Sequence, residues 1–291
     1  MKKIILSVFL ITSCSVQKNL NDYKHDPTTA KVVYGNDDRM DFNDVTDPEL
    51  KTLAKSTVAF IDQRHMIYDS IFDIYNLENP EPYLPFCKSE KFVTQPRWAD
   101  CSGSLIAEDI VLTAGHCISK SEDCKNMKIV FDYALDEKNK HLNSIAGKNV
   151  YSCQKILAFK NEKNGSDFSL IQLDRAAADR TPLKFSDKPL DYKDLLMIIG
   201  HPEGFPTKFT MNGKVRSLIP ETYFTATLDA FSGNSGSAVF DQTTKKIVGV
   251  LVRGEHDYDK KNGCITAKQC DENGCRGEDV TRISEFLKYL K

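Results

Sequence analysis

The chain has 291 residues, with 39 Lys and Arg against 41 Asp and Glu, and its formal net charge is −2 at pH 7. This length suffices for one large core or for two packed domains of roughly 100 residues each. Because the charge is nearly balanced and no strongly basic stripe appears, there is no electrostatic reason to expect nucleic acid as a partner, and we expect none.

The chain begins with a short export-type signal. Met1, Lys2 and Lys3 precede an apolar run over residues 4–11, which is too short to span a bilayer as a helix. The run leads to Ile-Thr-Ser-Cys ending at Cys14, which resembles a bacterial lipobox. We expect lipidation of Cys14, attachment to a membrane through that lipid, and an exported protein that is either a bacterial outer-membrane lipoprotein or extracellular. The alternative is an ordinary signal peptide cut nearby, with Cys14 discarded.

Three short segments carry the residue types used in acyl transfer. The sequence TAGHC at 113–117 puts His116 after an apolar strand, DFSLIQL at 167–173 opens with Asp167, and FSGNSGSAV at 231–239 sets Ser235 between glycines. Each segment alone has an ordinary explanation, namely a surface or core histidine, a turn aspartate and a Gly/Ser/Asn turn. The glycines, however, permit positive φ, so the N–H groups of Gly233 and Ser235 can point at one developing oxyanion.

In the chain order His, Asp, Ser, these segments resemble the chymotrypsin-like (trypsin-fold) serine peptidases. The resemblance implies an all-β fold of two packed six-stranded antiparallel β-barrels with a C-terminal α-helix, a protein or peptide substrate, and no metal or organic cofactor. It implies that Ser235 is the nucleophile, His116 the general base and Asp167 its orienting partner, with an oxyanion hole at the N–H groups of Gly233 and Ser235. It also implies a disulfide between Cys101 and Cys117.

A second resemblance points to one branch of this family. The sequence VVYGNDDR at 32–39 is similar to the mature amino terminus of the bacterial glutamyl-endopeptidase branch. Asn234 stands where trypsin-like zymogens have an Asp that pairs with a newly freed amino terminus, and this branch also carries Asn or Gln there. Activation through that ion pair is therefore not expected.

The remaining cysteines predict further disulfides. Nine cysteines occur, and eight remain once Cys14 is set aside, an even number that in an exported chain predicts up to four bridges. Proximity favours pairing Cys124 with Cys153, but the sequence does not determine the partners of Cys87, Cys124, Cys153, Cys264, Cys270 and Cys275. A Cys/His zinc site over residues 264–275 is the alternative, disfavoured by export and by the absence of C-x-x-C spacing.

The expected organisation follows the chain. It comprises a signal over 1–14, a polar tether over 15–31, a first barrel over 32–183 that carries His116 and Asp167 and contains an elaborated loop at 62–100, and a second barrel with the closing helix over 184–291. Asp47 and Pro48 predict a helix start, and residues 56–61, 195–199 and 245–253 read as strands. Helical spacing of Val280, Ile283, Leu287 and Leu290 predicts the C-terminal helix.

Primary specificity depends on Asp229, six residues before Ser235. In trypsin a carboxylate at this place selects Arg or Lys, and by the same alignment Gly254 lines the pocket entrance. The glutamyl-endopeptidase branch instead uses a histidine where Leu251 stands here. We therefore expect cleavage after Arg or Lys, with Glu or another specificity as the alternative.

Two other classes of protein, a binding module and an esterase, fit the sequence less well than a peptidase. A non-catalytic binding module on the same fold would lack a triad member, whereas all three are present. An esterase with a nucleophile elbow needs Gly-x-Ser-x-Gly and a histidine after the serine, but Ser237 replaces the last glycine and His116 precedes Ser235.

Overall fold

The computed structural model describes residues 32–78, 80, 84–135 and 142–290. The predicted signal, Cys14 and the tether at 15–31 lie outside these described residues. Within them, none of the helices has the length and apolar character needed to cross a membrane. The strands in chain order are β1 (Val33–Tyr34), β2 (Met40–Asp41), β3 (Thr57–Asp62), β4 (Met66–Asp69), β5 (Ile74–Leu77), β6 (Ala99–Ala107), β7 (Ile110–Thr113), β8 (Met127–Phe131), β9 (Ser144–Ala146), β10 (Val150–Asn161), β11 (Asp167–Leu173), β12 (Leu195–Gly200), β13 (Lys208–Ser217), β14 (Tyr223–Thr227), β15 (Ala238–Asp241), β16 (Ile247–Arg253), β17 (Tyr258–Lys261), β18 (Cys264–Ala267), β19 (Gln269–Cys270) and β20 (Glu278–Arg282), and the helices are α1 (Pro48–Ala54), α2 (Ser121–Asn126) and α3 (Ser284–Leu287).

The first barrel is a closed antiparallel ring in the order β10-β11-β7-β6-β3-β8. Strand β3 shows how the barrel is packed on its two sides, since successive side chains of a strand point to opposite faces. Val58 and Phe60 pack into the barrel core, while Ala59 and Ile61 pack against an outer cluster that includes Trp98. Both faces of β3 are therefore buried, which favours the central position that it occupies between β6 and β8.

The second barrel follows the same plan. Strands β12-β15-β16-β20-β14-β13 are hydrogen-bonded in that order, and an additional pairing of β12 with β13 closes the ring. All seven residues of β16, Ile247–Arg253, are buried, as expected for a strand enclosed on both faces. The expected all-β fold of two six-stranded antiparallel barrels is confirmed.

The segment before β3 packs on the second barrel. Strand β1 pairs in parallel with β19, and β2 pairs with β13. The backbone N–H of Ala230 donates to the carbonyl of Val32 over 3.1 Å. The first barrel was expected to start at residue 32. Its strands lie between Thr57 and Leu173, and β1 and β2 pair with strands outside it. Two-residue strands carry too little periodicity to predict their partners.

The two predicted helices have different outcomes. Helix α1 begins as expected, because the side chain of Asp47 accepts a hydrogen bond from the N–H of Glu49 at 2.8 Å and Pro48 occupies the first turn. The C-terminal helix is confirmed as the short α3, which contains Leu287 but not Val280, Ile283 or Leu290. Val280 lies in β20, where it pairs with Phe224 and Leu251. The spacing of Val280 and Ile283 fits a helix, but packing against the neighbouring strands favours a strand at Val280.

The elaborated loop at 62–100 contains a small sheet of its own. Strands β4 and β5 form a hairpin, and β9 joins β5 as the third strand. The turn of this hairpin exposes Ile71 and Phe72, at 84% and 72% of their surface. The loop is thus fixed to the first barrel through β9 and not only through its own ends.

Four disulfides join the eight described cysteines. They link Cys87 to Cys264, Cys101 to Cys117, Cys124 to Cys153 and Cys270 to Cys275. The Cys124–Cys153 pair agrees with the proximity argument. The Cys87–Cys264 bridge spans 177 residues and ties the elaborated loop to β18 beside the second barrel. Because Cys264, Cys270 and Cys275 are all bonded to other cysteines, no thiolate remains there for the alternative zinc site.

Candidate active site

His116 lies just beyond the hairpin formed by β6 and β7. The disulfide between Cys101 and Cys117 joins the start of this hairpin to the residue after His116, with the two Cα atoms 6.2 Å apart. A Cβ on Gly115 would lie 1.9 Å from the carbonyl oxygen of Lys160, so only glycine fits there. These two constraints fix the turn from which the imidazole projects.

Asp167 opens β11 and is bonded to the histidine turn at three points. Its Oδ2 lies 2.8 Å from Nδ1 of His116, while its Oδ1 accepts the N–H groups of Gly115 at 2.6 Å and His116 at 3.2 Å. The backbone N–H of Asp167 donates to Oγ1 of Thr281 over 3.1 Å. The Asp167 side chain is 3% exposed and that of His116 is 22% exposed. This arrangement leaves the far side of the imidazole accessible and orients its Nδ1 toward the carboxylate.

Ser235 lies on the turn between β14 and β15, in the second barrel. The backbone N–H of Ser102 in β6 donates to the Ser235 carbonyl over 2.8 Å. The sulfur of Cys117 lies 3.7 Å from the same carbonyl oxygen, a van der Waals contact because this sulfur is in a disulfide and carries no proton. The histidine turn of one barrel therefore contacts the serine turn of the other.

The serine turn has the backbone that the glycine pattern predicted. Gly233 has φ of +88°, and a Cβ there would lie 2.4 Å from the carbonyl oxygen of His201. The Gly233 carbonyl accepts a hydrogen bond from Oγ of Ser102 at 2.7 Å, and the same Oγ accepts the N–H of His201 at 2.9 Å. Ser102, which the sequence analysis did not single out, thus links the turn that holds Gly233 to the loop at His201.

Asp229 is a buried carboxylate at the start of this segment, 4% exposed. Its Oδ1 accepts the backbone N–H of Tyr34 at 2.7 Å and its Oδ2 that of Asp38 at 3.2 Å. Burial raises the pKa of Asp229 to about 7, partly offset by these two hydrogen bonds and reinforced by the negative charge of Asp38. The chain that runs from β1 to β2 therefore covers this carboxylate, which the sequence pattern alone did not indicate.

The two other predicted pocket residues are also buried. Leu251, in the middle of β16, is inaccessible and packs in the second-barrel core with Leu228, Ala230 and Val280. Gly254 follows β16 directly and is buried too. Leu251 hydrogen-bonds the serine turn through its backbone, accepting from Gly236 at 2.8 Å. Leu251 thus supports the serine turn through its backbone.

His201 is a buried loop residue. Its ring is 1% exposed, lies against Tyr133 with ring centroids 5.2 Å apart, and has Nδ1 3.3 Å from the carbonyl oxygen of Phe205. Burial lowers the pKa of His201 to about 3, so the ring is neutral at physiological pH. No sequence motif indicated Thr281 or Arg253, whose side chains reach Asp167 from the second barrel.

One group of potential metal ligands occurs among the described residues. Cys101, His116 and Cys117 bring two sulfurs and an imidazole nitrogen within 4.8 Å of one another. The two sulfurs are bonded to each other, so neither is the thiolate that a metal would require. The proximity instead reflects the packing of His116 beside the disulfide.

The chain belongs to the family described as the trypsin-like peptidase domain, whose model matches residues 101–250, just over half of the 291 residues. The match begins at the histidine hairpin and ends within β16, so it includes His116, Asp167 and Ser235.

Curated relatives are venom proteases that match over part of their length. Snake venom serine protease KN11 from Trimeresurus stejnegeri is 35% identical over 113 residues, which are 37% of this chain and 41% of that protein. Snake venom serine protease 2C from Craspedocephalus gramineus is 34% identical over the same shares. The chain thus spans about two fifths of these relatives.

Solved structures similar to this chain include the protease Rv3671c from M. tuberculosis. Its active form is 13% identical with a TM-score of 0.49, covering 99% of this chain and 93% of that chain. An inactive form is 15% identical with a TM-score of 0.47, covering 84% of this chain and 94% of that chain.

Proposed function

We propose that this protein is a serine endopeptidase that hydrolyses peptide bonds through Ser235, His116 and Asp167. The observation that carries the proposal is the 2.8 Å contact between Nδ1 of His116 and Oδ2 of Asp167, on a histidine turn whose neighbouring sulfur contacts the Ser235 carbonyl. Membership of the trypsin-like peptidase family supports the same roles. A histidine held by a buried carboxylate beside a serine is the arrangement that acyl transfer requires.

In the proposed mechanism, Ser235 Oγ bonds to the carbonyl carbon of the substrate while His116 takes the hydroxyl proton. The oxyanion that forms is held by the N–H groups of Gly233 and Ser235. Removal of one such donor typically raises the activation free energy by about 2.7–4 kcal/mol. Collapse breaks the C–N bond, and His116 gives its proton to the leaving amine. Water then attacks the acyl-enzyme with His116 as base, which releases the acid and restores Ser235. Asp167 stays ionised and stabilises the imidazolium.

The experiment that tests this function is a cleavage assay with the full, oxidised chain and a panel of fluorogenic peptides that end in Arg, Lys, Glu, Phe or Ala. We expect hydrolysis of at least one peptide by the wild type and none above background by Ser235→Ala. A folded wild type that cleaves no peptide would contradict the proposal and would favour a binding module on this fold.

For specificity, we propose that Asp229 favours cleavage after Arg or Lys, with Glu or another residue as the alternative. Each oxygen of Asp229 accepts one backbone N–H, and a carboxylate has capacity for about four hydrogen bonds. Because the chain from β1 to β2 covers this carboxylate in the structure, a substrate guanidinium reaches it only if that segment moves aside. Because its pKa is raised to about 7, Asp229 is mostly neutral at pH 6 and mostly charged at pH 8.

We predict that the kcat/KM ratio for matched Arg and Ala peptides rises several-fold from pH 6 to pH 8, as Asp229 ionises and attracts the cationic side chain. Loss of one member of such a pair commonly costs about 2–5 kcal/mol, so Asp229→Ser should lower the ratio at pH 8 at least about 30-fold. Asp257→Asn is the matched control, because Asp257 is also buried and accepts the N–H of Ser232. A ratio that is independent of pH, or that survives Asp229→Ser, would contradict a substrate-reading role for Asp229.

For localisation, we propose an exported protein that is held at a bacterial outer membrane by lipid on Cys14. Four disulfides among the described cysteines support an oxidising compartment. We predict that Cys14→Ser moves the protein from the membrane pellet to the soluble fraction or halts its maturation, since the acyl chains would be the anchor. Fractionation with mass spectrometry of the amino terminus measures this. Wild-type protein that is wholly soluble and has an unmodified amino terminus other than Cys14 would contradict retention by lipid.

A further inference from the structure

The last residue of β16 is a buried cation. The Arg253 side chain is 8% exposed, and its Nε lies 3.2 Å from Oδ2 of Asp279 in β20. Its Nη1 and Nη2 donate to the backbone carbonyls of Glu162 at 3.1 Å and Gly165 at 2.8 Å. A buried guanidinium is costly unless its donors are paired in this way. These contacts hold Arg253 under the turn that leads into β11.

The same guanidinium reaches Asp167. Nη1 of Arg253 lies 3.6 Å from Oδ2 of Asp167, and this is the oxygen that contacts Nδ1 of His116 at 2.8 Å. A distance of 3.6 Å is too long for a good hydrogen bond but is a close ionic contact. The imidazole and the guanidinium therefore share one carboxylate oxygen, from opposite barrels of the fold.

The other charged side chains near the Arg253–Asp167 contact are themselves in ion pairs. In the second barrel, Asp279 is also bound by Arg276, at 2.7 Å. On the side of the first barrel, Lys160 lies within 3.5 Å of both Glu162 and Glu285, and Glu285 accepts a hydrogen bond from Ser166, next to Asp167. Within the described part of the chain, the ion pairs of Asp167 are those with His116 and Arg253. Arg253 is thus the permanent charge that acts most directly on the pair.

We propose that Arg253 is a positioning residue for the His116–Asp167 pair: it fixes the carboxylate that orients the imidazole and sets a permanent positive charge beside that carboxylate. This inference rests on the proposed peptidase function. A nearby cation disfavours a second positive charge on His116, whereas the Asp167 carboxylate favours it. Arg253 and Asp167 therefore act in opposite directions on the general base, which must be neutral to accept the serine proton.

A purely structural role makes a different prediction. Asp167 belongs to the first barrel, while Arg253, Asp279 and Thr281 belong to the second, so the cluster also bridges the two. If bracing were its whole role, replacing Arg253 would lower stability but leave the protonation of His116 where it was. The titration of His116 separates the two roles, because only the charge of Arg253, and not its bracing of the two barrels, would shift that titration.

The experiment is an NMR titration of His116 in the full chain with Ser235→Ala, with and without Arg253→Gln. The His116 signal is assigned among six histidines by its loss in His116→Gln. A positive charge disfavours protonation of a neighbouring imidazole, so we expect the titration of His116 to move to higher pH in Arg253→Gln. Arg253→Lys should restore most of the shift. Arg276→Gln is the matched control, since it also binds Asp279 but is half-exposed.

In active enzyme, the acidic limb of kcat/KM against pH should move upward by the same amount. Arg253→Met carries the same expectation if the Gln variant does not fold. A His116 pKa unchanged by neutralising Arg253, or moved as much by Arg276→Gln, would overturn the proposal. Because the NMR titration needs no turnover, absence of peptidase activity would contradict the proposed function while the titration still decides the inference.

Discussion

Replacing Ser235 with Ala is expected to lower kcat/KM by about 10⁶-fold, with His116→Ala similar and Asp167→Asn about 10⁴-fold. The three residues act as a unit, because the serine is a poor nucleophile unless His116 removes its proton and Asp167 holds His116 in the correct tautomer. For the same reason, the double variant of Ser235 and His116 should lose little more than either single variant.

Steady-state kinetics with the best peptide of the panel measures these losses, with circular dichroism to confirm the fold. Ser232→Ala is the matched control, since Ser232 lies three residues earlier on the same turn and should keep most of the activity. Losses that add up in the double variant, or a Ser235→Ala protein that retains activity, would contradict a shared catalytic role.

The second large effect is expected at Gly233. In Gly233→Ala, a Cβ would lie 2.4 Å from the His201 carbonyl and 2.8 Å from the N–H nitrogen of Gly204, on a backbone with φ of +88°. The positive φ costs about 1–2 kcal/mol and the overpacking about 1–3 kcal/mol. Because relief of the clash must move the Gly233 N–H, activity should also fall about 10²–10³-fold, as when one oxyanion donor is lost.

Gly263→Ala is the matched control for Gly233. Gly263 has nearly the same φ, +84°, but nothing lies within 4 Å of its Cβ position. Urea unfolding should therefore show only the backbone cost in Gly263→Ala, with activity retained. Equal losses of stability in the two variants would mean that the contact with the His201 loop is not tight, and full activity in Gly233→Ala would remove Gly233 from the proposed oxyanion hole.

The sequence predicted the fold and part of the site because the relevant signals are local. Apolar strands, the start of α1 at Asp47 and the glycines around Ser235 are each readable within a few residues. His116 and Asp167 lie 51 residues apart, and it was the family motif, not spacing, that predicted their contact.

The remaining features depend on contacts between distant parts of the chain. Strand β2 has two residues, and the Cys87–Cys264 bridge joins cysteines 177 residues apart, so no local pattern identifies their partners. Val280 fits helical spacing, but its cross-strand neighbours place it in β20. Arg253 looks in the sequence like an exposed charge at a strand end, and its burial against Asp167 follows only from the packing of β16 on β11.

Covalent labelling of Ser235 is the direct test that His116 activates its hydroxyl. The full oxidised chain is treated with a fluorophosphonate probe, and the labelled peptide is identified by mass spectrometry in the wild type, Ser235→Ala and His116→Ala. We expect a single adduct on Ser235 in the wild type, none in Ser235→Ala, and a labelling rate lowered by several orders of magnitude in His116→Ala. Labelling at another serine, or labelling of Ser235 at the same rate without His116, would contradict activation of Ser235 by His116.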